Sequence, residues 1–263
     1  MKTYKRVIII VVLLIPFLAY IPIRLSLTYY TPAPKVLQEK FAQEGCFYDS
    51  AKNCYQIPGV DFGRGLSETV ADLGLNEWLS KSDIDLHKDS DSESYYKIKT
   101  DPLIVSALNA KYSFTISMSK YNECYQLGLI GSFAYNPRTT YLFENSIKYN
   151  DACTYFYNLY NEFVASYGEP DKSDFSLNLN EITPDAFPSD RSYYPEVYAY
   201  WTTGEEGHQS VLRLSATPYH TEDTKSNQVM YLMVRIDIGQ EMEGVSIDYL
   251  TSRRLWGLSK ELQ

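Results

Sequence analysis

The sequence predicts an α+β protein in which helices pack on an antiparallel sheet, behind an N-terminal transmembrane helix. Three observations support this prediction. An uncharged apolar run lies near the N-terminus, one long amphipathic helix lies in the middle, and segments of alternating apolar and polar residues lie on both sides of that helix. The chain has 263 residues, 44% of them apolar, which is enough for a substantial core.

The N-terminal segment has the composition of a membrane anchor. Three basic residues within the first six positions precede Val7–Ile23, which contains no charge and approaches the length that spans a bilayer. Ser26 and Thr28 form the one tolerable cleavage pair. We therefore expect a cytoplasmic basic tip and an uncleaved signal anchor within residues 1–30, which would place the rest of the chain outside the inner (cytoplasmic) membrane, in the periplasm. Secretion after cleavage is the alternative.

The remaining chain divides by composition into a tether, a domain and a tail. Residues 31–58 are predicted to form a tether and a disulfide loop, 59–240 the extracytoplasmic α+β domain, and 241–263 a C-terminal tail. In each half of this domain, a predicted helix precedes a set of predicted strands. The halves 59–150 and 151–240 therefore indicate a possible degenerate tandem of two helix-plus-meander units.

The cysteines predict a covalent framework. An even number on an exported chain indicates disulfide bonds, and three connectivities are open for Cys46, Cys54, Cys124 and Cys153. We favour Cys46–Cys54 as a local loop and Cys124–Cys153 as a link from a strand to the central helix, worth about 3 kcal/mol. The sequence lacks the closely spaced Cys pairs with a nearby His that a zinc site requires, so no metal site is predicted.

The elements of the first half are short. Lys35–Gln43 is predicted to contain a short helix, and Pro58–Gly74 a second one that Ser67 caps. Lys81–Ser94 is acidic, and we expect a solvated loop there because the glycine and the terminal glutamate of a calcium loop are missing. Three segments have strand patterns: Tyr95–Lys99, Tyr112–Ser119 and Cys124–Tyr135.

Asp151–Pro170 is the clearest helix of the sequence. Asn150 or Asp151 is the expected N-terminal cap, Gly168 the expected end, and Pro170 prevents the helix from resuming. One apolar stripe recurs at three- and four-residue steps: Cys153, Phe156, Leu159, Tyr160, Phe163, Val164 and Tyr167.

The second half is mostly strand. The expected strands are Phe175–Leu179, Glu196–Thr203, Ser210–Ala216 and Gln228–Ile238. A proline-rich loop over Ile182–Pro195, a hairpin turn over Gly204–His208 and a polar loop over Pro218–Asn227 separate them, and a short helix is expected around Tyr249–Leu262.

The order of these elements resembles a group of exported proteins. A helix, the Tyr-Gly-x-Pro sequence at Tyr167–Pro170, a strand with Trp201, the segment Val211–Ala216 and a final apolar strand are similar to small exported bacterial proteins of unassigned function. The tandem layout over Pro58–Ile238 resembles the β-lactamase-inhibitor-protein-like and SmpA/OmlA-type envelope proteins, although the chain lacks the lipid-attachment cysteine of the latter. The resemblance implies binding or assembly and carries over no functional residue.

Composition and motifs argue against several functions. A formal charge of −9 without a basic patch argues against nucleic acid. His87, His208 and His220 all fall in predicted loops, and neither Gly-x-Ser-x-Gly nor His-Glu-x-x-His occurs in the sequence. No catalytic residue and no cofactor is therefore predicted.

We expect a membrane-anchored, non-catalytic envelope protein that binds a protein partner. The 25 tyrosines suit a half-buried sheet face, where Tyr198, Tyr200 and Trp201 are the candidate contacts, with core packing as the alternative for each. Two alternatives to this function are open. One is an envelope hydrolase acting on glycans or peptides through a carboxylate pair or a His–carboxylate pair, and the other is an immunity-type protein that inhibits one toxin.

Overall fold

The structure is a computed structural model that describes residues 32–42, 45–76, 83–85, 96–99, 102–134, 145, 147–182, 196–223 and 227–251. It is α+β, with one large antiparallel sheet and few helices, as the sequence predicts. The predicted anchor Val7–Ile23 lies outside the described residues. Within them, no helix has both the length and the apolar character needed to cross a membrane.

The described elements are four helices and eleven strands. The helices are α1 (Lys35–Phe41), α2 (Leu66–Asp72), α3 (Tyr149–Tyr167) and α4 (Ile247–Thr251). The strands are β1 (Tyr48–Asp49), β2 (Cys54–Tyr55), β3 (Asp83–Asp85), β4 (Tyr96–Lys99), β5 (Leu103–Val105), β6 (Ala110–Met118), β7 (Cys124–Ala134), β8 (Lys172–Asp174), β9 (Val197–Thr203), β10 (Ser210–Asp223) and β11 (Asn227–Gln240). Single 3₁₀ turns cover Ser106–Leu108 and Leu179–Glu181.

The large sheet consists of two meanders that meet in its centre. Its strand order is β3-β4-β6-β7-β11-β10-β9-β8, with β5 paired to β6 outside this path, and β1 and β2 form a separate hairpin. The last strand of the first meander, β7, pairs antiparallel with the last strand of the second, β11, so that Gly131 lies opposite Val234. Helix α2 precedes the first meander and α3 precedes the second.

The two faces of the sheet differ because successive side chains of a strand point to opposite sides. The face toward α3, which we call the helix face, is apolar and buried on the central strands: Leu127, Leu129, Val197, Ala199, Leu212, Leu214, Val234 and Ile236. The opposite face, which we call the polar face, carries buried polar and charged side chains: Ser113, Thr115, Gln126, Arg213, Ser215, Arg235 and Asp237.

Helix α3 forms the second layer of the core, as its apolar stripe predicts. Phe156, Leu159 and Phe163 are buried, and the helix ends at Gly168, whose φ of 82° lies in the left-handed region. The helix begins two residues earlier than expected, at Tyr149, and no side chain caps it. Packing of Tyr149 against the core extends the helix past the better capping residues.

The chain around α1 also belongs to this core. Leu37 and Phe41 of α1 are buried, as are Phe47 and Ile57 on either side of the β1–β2 hairpin. The side chain of Gln38 donates to the Ile104 carbonyl (2.7 Å) and accepts from the amide of residue 106 (2.9 Å). The segment predicted as a tether and disulfide loop thus packs on the sheet.

Some predicted boundaries are corrected. The expected loop at Pro218–Asn227 is strand on both sides of residues 224–226. Pro218 pairs with Leu232 of β11, and the β9 pairing of β10 ends at Ala216, so the missing N–H of Pro218 faces no ladder partner among the described strands. The loop was predicted from the polar residues of this segment, but these residues belong to a β-hairpin whose strands extend beyond the apolar core.

Three further corrections concern short elements. The strand expected at Phe175–Leu179 is instead β8, at Lys172–Asp174, followed by a 3₁₀ turn. Within the acidic stretch expected to be a loop, Asp83–Asp85 forms the edge strand β3. The N-cap of α2 is Gly65 rather than Ser67, and the Glu68 carboxylate accepts from the Gly65 amide (3.3 Å).

Candidate partner-binding face

The three predicted contact residues lie on two different faces. Trp201 points to the helix face, is 2% exposed, and its indole N–H donates to the Gly168 carbonyl (2.8 Å). Its ring packs against Phe163, with 5.9 Å between ring centroids. Trp201 is therefore a core residue, and we correct the expectation that it shares an outer surface with Tyr198 and Tyr200. The alternation of β9 puts the tyrosines one position out of phase with it.

Tyr198 and Tyr200 form a stacked pair on the polar face. Their rings are parallel within 4°, their centroids lie 6.4 Å apart, and both side chains are half-buried. The Arg213 guanidinium lies over the Tyr198 ring, 4.8 Å from its centroid, as in a cation–π contact. Arg213 contacts Tyr198 directly, and Tyr200 stacks on Tyr198, so the two rings form one half-buried aromatic pair.

A buried ion-pair cluster supports the tyrosine pair from the neighbouring strands. Arg213 is 1% exposed, and its Nη2 lies 2.8 Å from Oε2 of Glu196. Arg213 of β10 lies opposite Asp237 of β11 in the strand pairing. Within β11, Nε of Arg235 lies 3.4 Å from Oδ2 of Asp237. The positive charges of Arg213 and Arg235 are thus balanced by the carboxylates of Glu196 and Asp237. Burial lowers the pKa of Arg213, while the charges of Glu196 and Asp237 oppose this shift.

Glycine at position 128 makes room for this cluster. Gly128 lies opposite Asp237 in the β7–β11 pairing, and a Cβ there would meet both Oδ1 of Asp237 and Oγ1 of Thr115 at 2.5 Å. The Gln126 side chain donates to the same carboxylate oxygen of Asp237 (3.2 Å). The carboxylate therefore lies across the backbone of β7, in a position that a larger residue would occupy.

Aromatic groups lie on both sides of the ion-pair cluster. At one end of the polar face, Tyr219 stacks on Tyr231 at 4.8 Å, and the Tyr219 and Ser132 hydroxyls lie 2.6 Å apart. At the other end, α4 contributes to a small apolar cluster that also contacts Tyr200: Tyr125, Val211, Val245 and Leu250. The face thus combines fixed aromatic rings with buried, mutually neutralised charges.

Sequence reasoning missed the ion-pair cluster, although a signal for it exists. Arg213 lies between Leu212 and Leu214, and Arg235 and Asp237 lie at alternate positions within the apolar strand β11. Charges at alternate positions in an otherwise apolar strand indicate a second, polar layer on the opposite face. That these particular charges meet depends on the pairing of β10 with β11, which the sequence alone does not specify.

The four cysteines are free thiols in the structure, and Cys54, Cys124 and Cys153 are buried. Burial raises the pKa of Cys46 and Cys124 to about 12 and that of Cys153 to about 11, and it also raises the pKa of Cys54. The thiolate is the reactive form of cysteine, and a raised pKa keeps each of these thiols protonated near neutral pH, so none of them is activated as a nucleophile. Cys54 pairs with Asp49 across the β1–β2 hairpin. The disulfide bonds stay a prediction.

Two of the three histidines belong to the described part of the chain. His208 is exposed in the β9–β10 turn, His220 belongs to β10 instead of a turn, and His87 lies outside the described residues. Across those residues, no group of three or more His, Cys, Asp or Glu side chains is arranged to hold a metal ion.

Comparison with known proteins identifies no relative. No protein-family model matches the chain, no curated protein matches it, and no solved structure matches it. The stacked pair Tyr198 and Tyr200 is the most distinctive feature of the polar face.

Proposed function

We propose that this protein is a single-pass, membrane-anchored protein of the bacterial envelope whose extracytoplasmic domain binds a protein partner without catalysing a reaction. The observation that carries the proposal is the stacked pair Tyr198 and Tyr200 beside buried Arg213. Tyrosine is enriched among the residues that contribute most of the binding energy in protein interfaces, and the buried Arg213 supports the pair from within the fold. Here both tyrosines are half-buried and already in contact with each other, so that little further ordering is needed when a partner binds.

The proposed anchor would hold this domain close to the membrane. Eight residues separate Val7–Ile23 from Pro32, and eight fully extended residues span at most about 28 Å. At Pro32 the chain enters the fold through a bridge to Ile104, and the Ala33 amide donates to the Ile104 carbonyl (2.9 Å). The partner we propose is therefore a protein that is located at, or recruited to, the membrane surface.

The strand order supports the finer proposal of a degenerate tandem. Each meander follows one helix, and the two meanders join through their last strands, β7 and β11. In such an arrangement each half contributes one side of a continuous sheet, and the half-buried Tyr198 and Tyr200 belong to the second half.

Site-specific photocrosslinking in cells tests the proposal. The full-length protein would carry a photoreactive phenylalanine at Tyr198 or at Tyr200, and crosslinked membranes would be purified for mass spectrometry. The matched control places the same group at Tyr121, which is 49% exposed on the β6–β7 turn. We expect one envelope protein to be captured in near-equal amount from positions 198 and 200 and not from 121.

Two results would overturn this proposal. One is capture of the same proteins from all three positions, which would indicate non-specific contact. The other is a protein that crosslinks from Tyr121 alone, because the binding surface would then lie at the β6–β7 turn.

A further inference from the structure

A second feature, separate from the polar face, is a cavity at one end of the molecule. It has a volume of about 430 Å³ and lies between the β1–β2 hairpin, the residues that follow β2, the β9–β10 turn and the end of β11. This volume is within the range of about 300–1,000 Å³ that small-molecule sites occupy. Its size therefore suits one small ligand.

The walls of the cavity are rich in carboxamide groups. Asn53, Gln56 and Gln240 line it, together with the carboxylates of Asp61 and Glu205. A carboxamide offers donors and an acceptor on one rigid plane, and a carboxylate adds strong acceptors. Such a set matches ligands that carry several hydroxyl groups, because each hydroxyl both donates and accepts.

Contacts within the protein orient two of these carboxamides. Oδ1 of Asn53 accepts from the Tyr48 hydroxyl (2.8 Å) and from Oγ1 of Thr203 (2.9 Å). Nε2 of Gln56 donates to Oδ2 of Asp49 (2.6 Å). Among the described residues, the Asn53 amide hydrogens and Oε1 of Gln56 therefore remain for a ligand. One side chain presents a donor and the other an acceptor, and both are held in place beforehand.

The charged side chains of the lining and the Phe62 ring indicate which class of ligand the cavity can bind. Lys52 forms an ion pair with Asp61, and Glu205 adds a second carboxylate to the lining. A slightly negative lining disfavours phosphates and other anions. The half-buried Phe62 ring adds one apolar surface against which the carbon–hydrogen face of a sugar ring can pack.

We propose that this cavity binds a neutral sugar of one or two rings. The proposal does not depend on the protein-binding role of the polar face, since the cavity is lined by different residues. A sugar-binding site on an envelope domain would recognise glycans near the membrane surface, and no bond-breaking step is part of the proposal.

Saturation-transfer NMR on the full-length protein in lipid nanodiscs tests this. The probes are a panel of neutral sugars (diacetylchitobiose, cellobiose, maltose, lactose and galactose), with glucose 6-phosphate as the anionic comparison and empty nanodiscs as the blank. We expect saturable transfer from at least one neutral sugar and none from glucose 6-phosphate. Glu205→Ala should weaken the binding about tenfold, through loss of a charge-assisted hydrogen bond.

Glu206→Ala is the matched control. Glu205 and Glu206 are neighbours in the same turn, both are exposed, and Glu205 but not Glu206 lines the cavity. Glu206→Ala should leave sugar affinity unchanged, and both variants should melt at the temperature of the unaltered protein. The proposal is overturned if no neutral sugar gives saturable transfer, if glucose 6-phosphate binds more tightly, or if both variants weaken binding equally.

Discussion

The Asp237 carboxylate occupies the space that a side chain at position 128 would take. Gly128 and Asp237 lie opposite each other on β7 and β11, and a Cβ at 128 would come within 2.5 Å of Oδ1 of Asp237. A real Cβ does not approach an oxygen so closely, so the glycine and the buried acid depend on each other. This relationship determines the arrangement of the ion-pair cluster on the polar face.

Gly128→Ala should therefore destabilise the protein. We expect the free energy of unfolding to fall by about 3 kcal/mol, because the methyl group must displace the carboxylate or shift β7. Urea unfolding followed by tryptophan fluorescence measures it. The control is Gly65→Ala, where a Cβ would meet Oε2 of Glu68 at 3.8 Å in extended backbone. Its cost should stay near or below about 1 kcal/mol. Equal losses would contradict the crowding at position 128.

The ion pair between Arg213 and Glu196 should show strong coupling. Arg213→Met leaves the carboxylates of Glu196 and Asp237 buried without it, and we expect a loss of about 3–5 kcal/mol. The double variant Arg213→Met with Glu196→Leu should recover part of this loss in a double-mutant cycle. The comparison is Arg64→Met, which removes the partly exposed pair with Asp72 and should cost less than about 1 kcal/mol. Strictly additive losses at 213 and 196 would refute the coupling.

Trp201 should contribute to stability and not to partner capture. Trp201→Phe keeps an aromatic ring but removes the hydrogen bond to the Gly168 carbonyl, and we expect a loss of about 2 kcal/mol. At temperatures where the variant is fully folded, photocrosslinking from Tyr198 should be unchanged. Loss of capture without loss of stability would place Trp201 at the interface after all.

Stability should decline at alkaline pH. Burial raises the pKa of Cys124 to about 12 and those of Tyr55 and Tyr155 to about 12, above the values of the unfolded chain, which are about 8.5 for Cys and about 10 for Tyr. A raised pKa of an acid stabilises the fold fully below the unfolded pKa. The contribution is then lost as pH rises toward the folded value. Unfolding free energies measured between pH 7 and pH 11 should be flat at first and then fall above about pH 8.5.

The same experiment bears on the predicted disulfide bonds. Cysteines joined in disulfides do not titrate, so the decline would begin nearer pH 10, where tyrosines ionise. Thiol counting in the denatured, unreduced protein distinguishes the two cases directly. Four thiols would agree with the free cysteines of the structure, and none would agree with the two predicted bonds. If stability declined from pH 8.5 in a protein without free thiols, cysteine ionisation could not be the cause. That result would contradict the proposed link between the raised pKa of Cys124 and stability.

The sequence predicts the elements whose periodicity is long and regular. The apolar patterns that predict α3 and β11 each cover more than ten residues, and both elements begin and end within two residues of the expected positions. Short elements depended on tertiary contacts instead. The strand at Lys172–Asp174 forms because it pairs with Tyr198–Tyr200 of β9, which no local pattern in its three polar residues could indicate.

The candidate face was predictable in part. The tyrosines of β9 could be assigned to one side of the strand by alternation, which also separates them from Trp201. The contact between Arg213 and the Tyr198 ring required the register of β10 against β9, in which residue 213 lies opposite Tyr200 and residue 215 opposite Tyr198. A shift of one residue would have placed Arg213 in the apolar core. Register between distant strands is a property of the whole fold.

The entry of the chain at Pro32 has a mechanical consequence. In a membrane-anchored chain, a lateral pull on the anchor is transmitted first to the hydrogen bond from the Ala33 amide to the Ile104 carbonyl, and then to the Gln38 side-chain contacts. These few bonds connect α1 to the short strand β5, whereas the β10–β11 pairing extends over fourteen residues per strand. If the chain is anchored as proposed, tension on it would therefore reach α1 and β5 before it reached the central strands β7, β10 and β11.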